Sequence, residues 1–531
     1  MPSVGDLIFI ALLGLLTCTA LSVRLLGDAG IGWHIRTGQQ ILAAHAIPRV
    51  DLFSSTMNGK PWFAWEWLYD VLVGWLEHAA GLNAVVLFTA LIIASVFAWT
   101  FRLLLQRGTN VFIALVLVLL AAAASMIHFL ARPHVVSWLF TLAWFSILDS
   151  SERSCFGATS EAQGQRRNDS RRLWLLPPLM LVWVNVHGGF LIGFALLGIY
   201  WAGAAWRWFR LGESKLDRFL QKLRARERVK SLTIVGFVAL VATFANPYGW
   251  KLHVHIYQYL SNHFLMDHID EFQSPNFHLV AQKCFAVLLL ITLVALAARG
   301  RKLRLSEGLI VLFAVYAGLY ASRDLPVSSL LLVLIAGPLL SEAAEILADR
   351  SGLSSHGMSR LAARAVAFSQ RMGAIESNLR GYLWPLAAVA VSCFVVFNGG
   401  NVGSHKLIDA HFDERRFPVE AVNYLQRSGV KEPLLSPDSW GGYIIYRLYP
   451  QVLMVVDDRH DLYGEDFLKS YLKMVNAEPG WQDFLREYHV HHVLFPKGTP
   501  LANLLAETPG WRLTYEDDVA VSFEKPAAAG R

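Results

Sequence analysis

The sequence predicts an α-helical polytopic membrane protein of about eleven spans followed by a C-terminal soluble α/β domain. Three observations predict it. Of the 531 residues, 54% are hydrophobic and only 17% are charged, below the quarter usual for a soluble chain. The apolar residues come in runs long enough to cross a bilayer. Lys and Arg collect in short blocks between those runs, so the net charge of +6 reads as a topology signal and excludes a nucleic-acid binder.

Candidate spans lie at 7–26, 83–104, 110–128, 134–149, 173–186, 187–208, 231–246, 281–298, 306–322, 325–345 and 381–398. Only Asp6 precedes the first run, which therefore lacks the basic start of a secretory signal and reads as a retained helix. Three stretches are interrupted by polar residues: MIHFLARPH at 126–134, NVHGG at 185–189 and ASRDLP at 321–326. Both flanks of each are basic: Arg107 and Arg153, RRNDSRR at 166–172 and the Arg207–Lys230 segment, RGRKLR at 299–304 and Arg350. Positive flanks stay cytoplasmic, so each stretch is a hairpin with its tip outside. The loop at 27–81 and the segment at 246–280 fall on the same outer side. Residues 1–400 thus form the membrane domain of a cytoplasmic-membrane protein, and 401–531 an extracytoplasmic domain.

That tail reads as helix PVEAVNYLQRSG ending on Gly429, strand EPLLS, a helix after SPDSWGG, strand QVLMVVD, helices near 465–475 and 480–488, strand HVHHVLF, and a final pair around WRLTYE and VAVSFE. The alternation favours a parallel sheet at its start. The loops SPDSWGG and VDDRHDLYG then follow successive strands and form one ligand-facing edge with Asp438, Trp440, Asp457, Asp458 and Arg459. The plainer alternative is that Asp438 organises a helix start and Arg459 pairs with a neighbouring aspartate.

The outer face gathers the candidate site. Asp28 sits just past the first span, with Trp33, His34 and Arg36 opening an amphipathic helix; Asp51 follows, then the Trp-rich PWFAWEWLYD with Glu66 and Asp70, which reads as an interfacial helix. Acidic and aromatic groups beside a bilayer also serve as plain anchors. His128, Arg132 and His134 share the first tip, and arginine binds phosphate bidentately, although a single cation there often only snorkels. Asn185 and His187 precede two glycines that would equally serve helix packing. Arg323 and Asp324 at the third tip either meet a ligand or pair with each other. His253, His255, His263 and His268 follow NPYGW without a thiolate or carboxylate cluster in sequence, so no metal is assigned to them. The four cysteines match neither a disulfide framework nor a zinc spacing. No cofactor is assigned, and a divalent metal is not supported.

The motifs GWHIRTG, ARPH, NVHGGF, NPYGW, SWGGY and DDRHDLYG, spread over nearly the whole chain, resemble those of a group of bacterial membrane proteins similar to the GT-C superfamily. These are polytopic glycosyltransferases with lipid-linked sugar donors, related to protein O-mannosyltransferases and aminoarabinose transferases. The resemblance implies a polyprenyl-phosphate sugar donor, a glycan, lipid or protein acceptor, an active site on the outer membrane face, and an essential first-loop acidic residue, matched here by Asp28. Related sequences often carry a second acidic residue where this chain has Gly30, a departure that weighs against a two-carboxylate or metal-bound site. Two other classes compete: a transporter or flippase, which would favour pseudo-symmetric halves and mid-bilayer sites, and a noncatalytic envelope assembly protein, which would not need Asp28.

Overall fold

The computed structural model describes residues 1–156, 171–211, 216–298, 303–352, 357–379 and 382–526. In lipid a backbone finds no water to bond, so the apolar runs close their hydrogen bonds internally as helices. Helices occupy all eleven expected positions. Among the described residues, five of them are long and apolar enough to cross a bilayer: Trp67–Gln106, Val111–His128, Phe190–Arg210, Val280–Ala297 and Ser322–Ala348.

Two expected helices differ. The first span breaks into Val4–Cys18 and Leu21–Leu25, because Thr19 is extended, its hydroxyl donating to the Leu15 carbonyl at 2.6 Å and accepting from the Leu21 N–H at 3.2 Å. The Trp-rich segment is not one interfacial helix. Its helix starts only at Trp67 and bends at Ala80 and Gly81, where Gly81 takes φ +67°. The preceding backbone is engaged elsewhere, the Trp62 N–H with the Arg49 carbonyl at 3.0 Å and the Ala64 N–H with the Tyr248 hydroxyl at 2.8 Å.

The three polar breaks are short turns between helices, and side chains from all three line one cavity, so the tips share one end of the bundle. An ion network ties the opposite end. Arg107 pairs with Asp149 and with Glu307 at 3.2 Å, while Arg304 reaches Glu307 at 2.7 Å, Glu152 at 3.0 Å and Asp149 at 3.2 Å. Burying such charges is tolerable only when each has partners. The basic residues at 166–170 and 299–302 lie outside the described residues.

In the tail, β1 (Asn401–Val402) and β2 (His405–Lys406) make a small hairpin. A four-stranded sheet follows, from β3 (Leu434–Leu435), β4 (His492–Pro496), β5 (Arg512–Glu516) and β6 (Ala520–Glu524), in the order β3-β4-β6-β5 with only β3 and β4 parallel. The helix Val419–Ser428 does end on a left-handed Gly429. QVLMVVD is not a full strand. Met454 forms single bridges to Leu434 on one side and Ser54 on the other, so this segment stitches the first loop to the tail.

The tail's second helix, Asp438–Leu448, begins inside SPDSWGG rather than after it. It carries Gly441 and Gly442 at a cost of about 1 kcal/mol each relative to alanine. Close approach explains them. A Cβ on Gly442 would lie 2.2 Å from the Ala29 carbonyl oxygen, and one on Gly32 would lie 2.1 Å from that of Gly442. The helices Ile31–Ala44 and Asp438–Leu448 therefore meet backbone to backbone, and Arg36 adds a bond from Nε to the Tyr446 carbonyl at 2.9 Å. We expect Gly442→Val to force this contact apart, costing about 1–3 kcal/mol by overpacking. A lowered Tm with faster proteolysis between residues 403 and 418 is the expected result; an unchanged digestion pattern would refute the contact.

Candidate functional site

A cavity of about 600 Å³ lies at the tip end of the bundle, walled by the first loop, the three hairpin tips, the segment around Phe272 and the tail loop at 457–461. Every wall except the second tip contributes charge. Because the tips are turns, their helices end there and their polar side chains point into the cavity instead of into lipid.

Arg132, from the first tip, is the hub of one side. Its Nε lies 3.1 Å from Asp28 Oδ2, its Nη2 3.3 Å from Asp458 Oδ2, and its Nη1 3.4 Å from His34 Nε2. Asp28 is further fixed by the Gly30 N–H, which donates to Oδ1 at 2.8 Å. Asp458 accepts from the Trp33 indole at 3.0 Å. A Cβ on Gly30 would come within 2.0 Å of Arg132 Nη1 and 2.5 Å of Asp458 Oδ2. Glycine at position 30 thus leaves the room that Arg132 and the tail's carboxylate fill. Burial, helped by the Asp28 charge and opposed by Arg132, pushes Asp458 up to about 7.

Deeper lies a second cluster. His34, fully buried, donates from Nδ1 to Asp70 Oδ1 at 2.6 Å, since its Nε2 faces the donor-only Arg132. Glu66 has Oε2 3.7 Å from His34 Nε2 and Oε1 3.7 Å from His187 Nε2. Burial raises Glu66 to about 8. His187 accepts the Gly189 N–H on Nδ1 at 3.0 Å, with the Ser137 hydroxyl at 2.8 Å, so its proton resides on Nε2. Burial first, then the cations Arg132 for His34 and Arg323 for His187, lowers both imidazoles well below the usual range. They are neutral at pH 7.

Across the cavity stand Arg323 and Glu271. Arg323 lies over the Phe272 ring at 4.5 Å and, among the described residues, has no hydrogen bond or ion pair. Burial works against the Glu271 charge, but Arg323 and then Arg132 hold its carboxyl down to about 2. Arg323 does not pair with Asp324, contrary to the plainer alternative.

The other expected residues divide by position. His134 lines the cavity, its Nε2 2.9 Å from the His128 carbonyl oxygen. Asn185 accepts from the Trp67 indole at 2.8 Å and donates to the Ala245 carbonyl at 3.0 Å, joining elements behind the wall. Asp51 and Asp457 both grip Arg459, whose Nη1 is 2.7 Å from Asp51 Oδ1 and whose Nη2 is 2.6 Å from Asp457 Oδ2. Its guanidinium lies over the Trp62 ring at 4.7 Å, and all three ionic groups are buried. The two tail loops do sit together, His460 Nε2 being 2.8 Å from Asp438 Oδ2. Sequence reasoning missed Glu271, which follows four histidines with no local signal, and passed over Asp70 as a partner of His34.

The histidines after NPYGW scatter: His253 meets Thr243 at 2.8 Å, His255 meets Asp461 at 2.9 Å, and His268 meets the Phe264 carbonyl at 2.9 Å. Among the described residues no group of three or more His, Cys, Asp or Glu side chains is arranged to hold a metal. The donor set also fits a resident cation poorly, because a guanidinium already occupies the place between Asp28 and Asp458.

No family model matches the chain, and no curated protein does. Solved structures do. The oligosaccharyltransferase AglB of Archaeoglobus fulgidus, tethered to an acceptor peptide, aligns with 99% of this chain and 73% of its own at 12% identity and TM-score 0.55. The same enzyme with an inhibitory peptide and a dolichol-phosphate covers 93% and 68% at 11% identity and TM-score 0.55. ArnT from Cupriavidus metallidurans, bound to undecaprenyl phosphate, covers 99% of both chains at 15% identity and TM-score 0.51. Both are GT-C membrane glycosyltransferases, so the fold expected from the resemblance is the fold found.

The Arg459 cluster yields a stability prediction. Arg459→Ala strands two buried carboxylates and is expected to cost about 3–5 kcal/mol. The triple variant Asp51→Asn, Asp457→Asn, Arg459→Met should recover much of the loss in a thermal melt. Equal destabilisation by both would show that packing, not charge, holds the cluster.

Proposed function

We propose that the chain transfers a sugar from a polyprenyl-phosphate donor to an acceptor on the outer face of the cytoplasmic membrane. One observation carries the reading: a single cavity joins an uncommitted arginine, several carboxylates in different environments and an apolar wall. The wall comes from the helices Phe190–Arg210 and Leu305–Tyr320. They approach each other at Gly203 and Ser306, whereas at the cavity Leu191, Tyr316 and Tyr320 are 42%, 68% and 55% exposed. Such exposure in a membrane helix is a lipid-facing opening, suited to a prenyl chain whose phosphate reaches Arg323. The lipid phosphates bound by ArnT and AglB support the same donor class.

Glycosyl transfer needs a base for the acceptor proton and electrostatic support for the departing phosphate. Arg323 supplies the second. Asp28, oriented by Arg132 and the Gly30 N–H, is the proposed base. The tail edge around Asp438, Asp458 and His460 is the proposed acceptor side, in keeping with the acceptor peptide bound by AglB. A transporter is disfavoured because the polar groups cluster at one end while the Arg107–Asp149–Arg304 network knots the other.

Asp28→Asn is expected to lower transfer by roughly 10² to 10⁴ at matched expression; near-normal turnover would remove Asp28 from the mechanism. Arg323→Ala is expected to weaken binding of an undecaprenyl-phosphate analogue by about 2–5 kcal/mol, and wild-type binding would remove Arg323 as its holder. For orientation, single cysteines at 278 and 512 in a cysteine-free background should react with an impermeant thiol reagent in intact cells, and one at 218 should not. The reverse pattern would put the cavity on the cytoplasmic face.

A further inference from the structure

Glu66 is surrounded as a carboxylic acid would be. His187 turns a fixed Nε2–H toward Oε1, because the Gly189 N–H occupies Nδ1. His34 turns its Nε2 lone pair, shared with Arg132 Nη1 at 3.4 Å, toward Oε2, because Asp70 takes the proton on Nδ1. One oxygen therefore faces a donor and the other an acceptor. A carboxylate wants donors on both sides; a neutral acid wants this asymmetric pair. Both separations are 3.7 Å, the loose geometry common before a substrate closes an active site.

Resting on the glycosyl-transfer reading, we infer that Glu66 is stored as a neutral acid between His34 and His187 and gives its proton to the phosphate oxygen released from the donor sugar. The step balances. The acceptor oxygen bonds the anomeric carbon and its proton passes to Asp28. The bond from that carbon to the phosphate oxygen breaks, and its electron pair stays on the phosphate. The Glu66 proton goes to that oxygen, giving a polyprenyl hydrogenphosphate beside Arg323 and a Glu66 carboxylate. Solvent then returns the proton from Asp28 to Glu66. Two carboxyl groups whose surroundings differ thus divide the base and acid roles.

The charged and titratable neighbours come from every wall: His34 and Asp70 from the first loop and its helix, Arg132, His187 and Arg323 from the three tips, Glu271 from the segment after NPYGW, and Asp461 from the tail. Burial and the carboxylates Asp461 and Glu271 favour the proton, Arg132 and Arg323 oppose it, and the balance leaves Glu66 at about 8. The acid form is filled below that value and is lost as pH rises through it.

The test uses the full chain in lipid nanodiscs. Infrared difference spectra of wild type against Glu66→Gln should show a protonated-carboxyl band that titrates away near pH 8 and is missing in the variant. In transfer assays with an undecaprenyl-phosphate sugar, wild type should lose rate above that pH. Glu66→Gln, which keeps the donor and acceptor pattern but holds no acidic proton, should lose roughly 10² to 10⁴ in rate together with the alkaline fall. An active enzyme without the band, or a Glu66→Gln enzyme with wild-type rate and pH profile, overturns this step alone. A band in a protein that moves no sugar from any polyprenyl-phosphate donor overturns the transferase reading and this step with it.

Discussion

Arg459 is the constraint on which the rest of the cavity depends. Its guanidinium is buried between Asp51 of the first loop and Asp457 of the tail and packed under Trp62. Ionic groups withdrawn from water are tolerated only if each keeps a partner in good geometry, so the loop and the tail cannot separate without stranding a charge. With residues 457 and 459 held, Asp458 between them has little freedom. The backbone bends at Asp458, whose carboxylate faces Trp33 and Arg132. The backbone contact at Gly32 and Gly442 and the bridge from Ser54 to Met454 act in the same sense. The wall of the cavity is thus assembled from two segments that behave mechanically as one.

The cavity also sorts its arginines by how much of their charge is spent. Arg459 is fully neutralised in place, and Arg132 is shared between Asp28 and Asp458. Arg323, which among the described residues has an aromatic ring against it and no hydrogen bond or ion pair, keeps its field directed into the void. That field reaches Glu271, which it holds ionised against its burial, and His187, where it adds to the burial that already keeps the ring neutral. On the proposed reading, in which the site receives an anion and parts from it again, one accessible cation with fixed surroundings is an advantage, since a second free guanidinium would hold the product.

Much of this was legible in the sequence, and the boundary of what was not has a physical form. Helix positions follow from apolar run length, and the common end of the three tips follows from flanking charge, because both depend on the solvent rather than on the fold. Gly429 reads as a helix stop because a left-handed cap is a local matter. Gly30 is the opposite case. Alone it looks like a missing carboxylate, and only its proximity to Arg132 and Asp458 reveals why a side chain is absent. Gly441 and Gly442 likewise read as a loop, since sequence cannot anticipate that the first-loop backbone passes so close to a helix. Glu271 enters the site through the path of a long segment, and Met454 pairs with Ser54 from outside its domain.

The bond between Trp33 and Asp458 joins residues 425 positions apart. During synthesis the first loop is made early and the tail emerges late, after all the intervening helices have been inserted. Until then Arg132 has Asp28 but not its second carboxylate, and the cavity lacks one wall. A ribosome-bound or prematurely terminated chain therefore lacks Asp458 and the enclosed volume. Contacts of such high sequence separation form slowly and late, so the cavity is completed only when the tail docks.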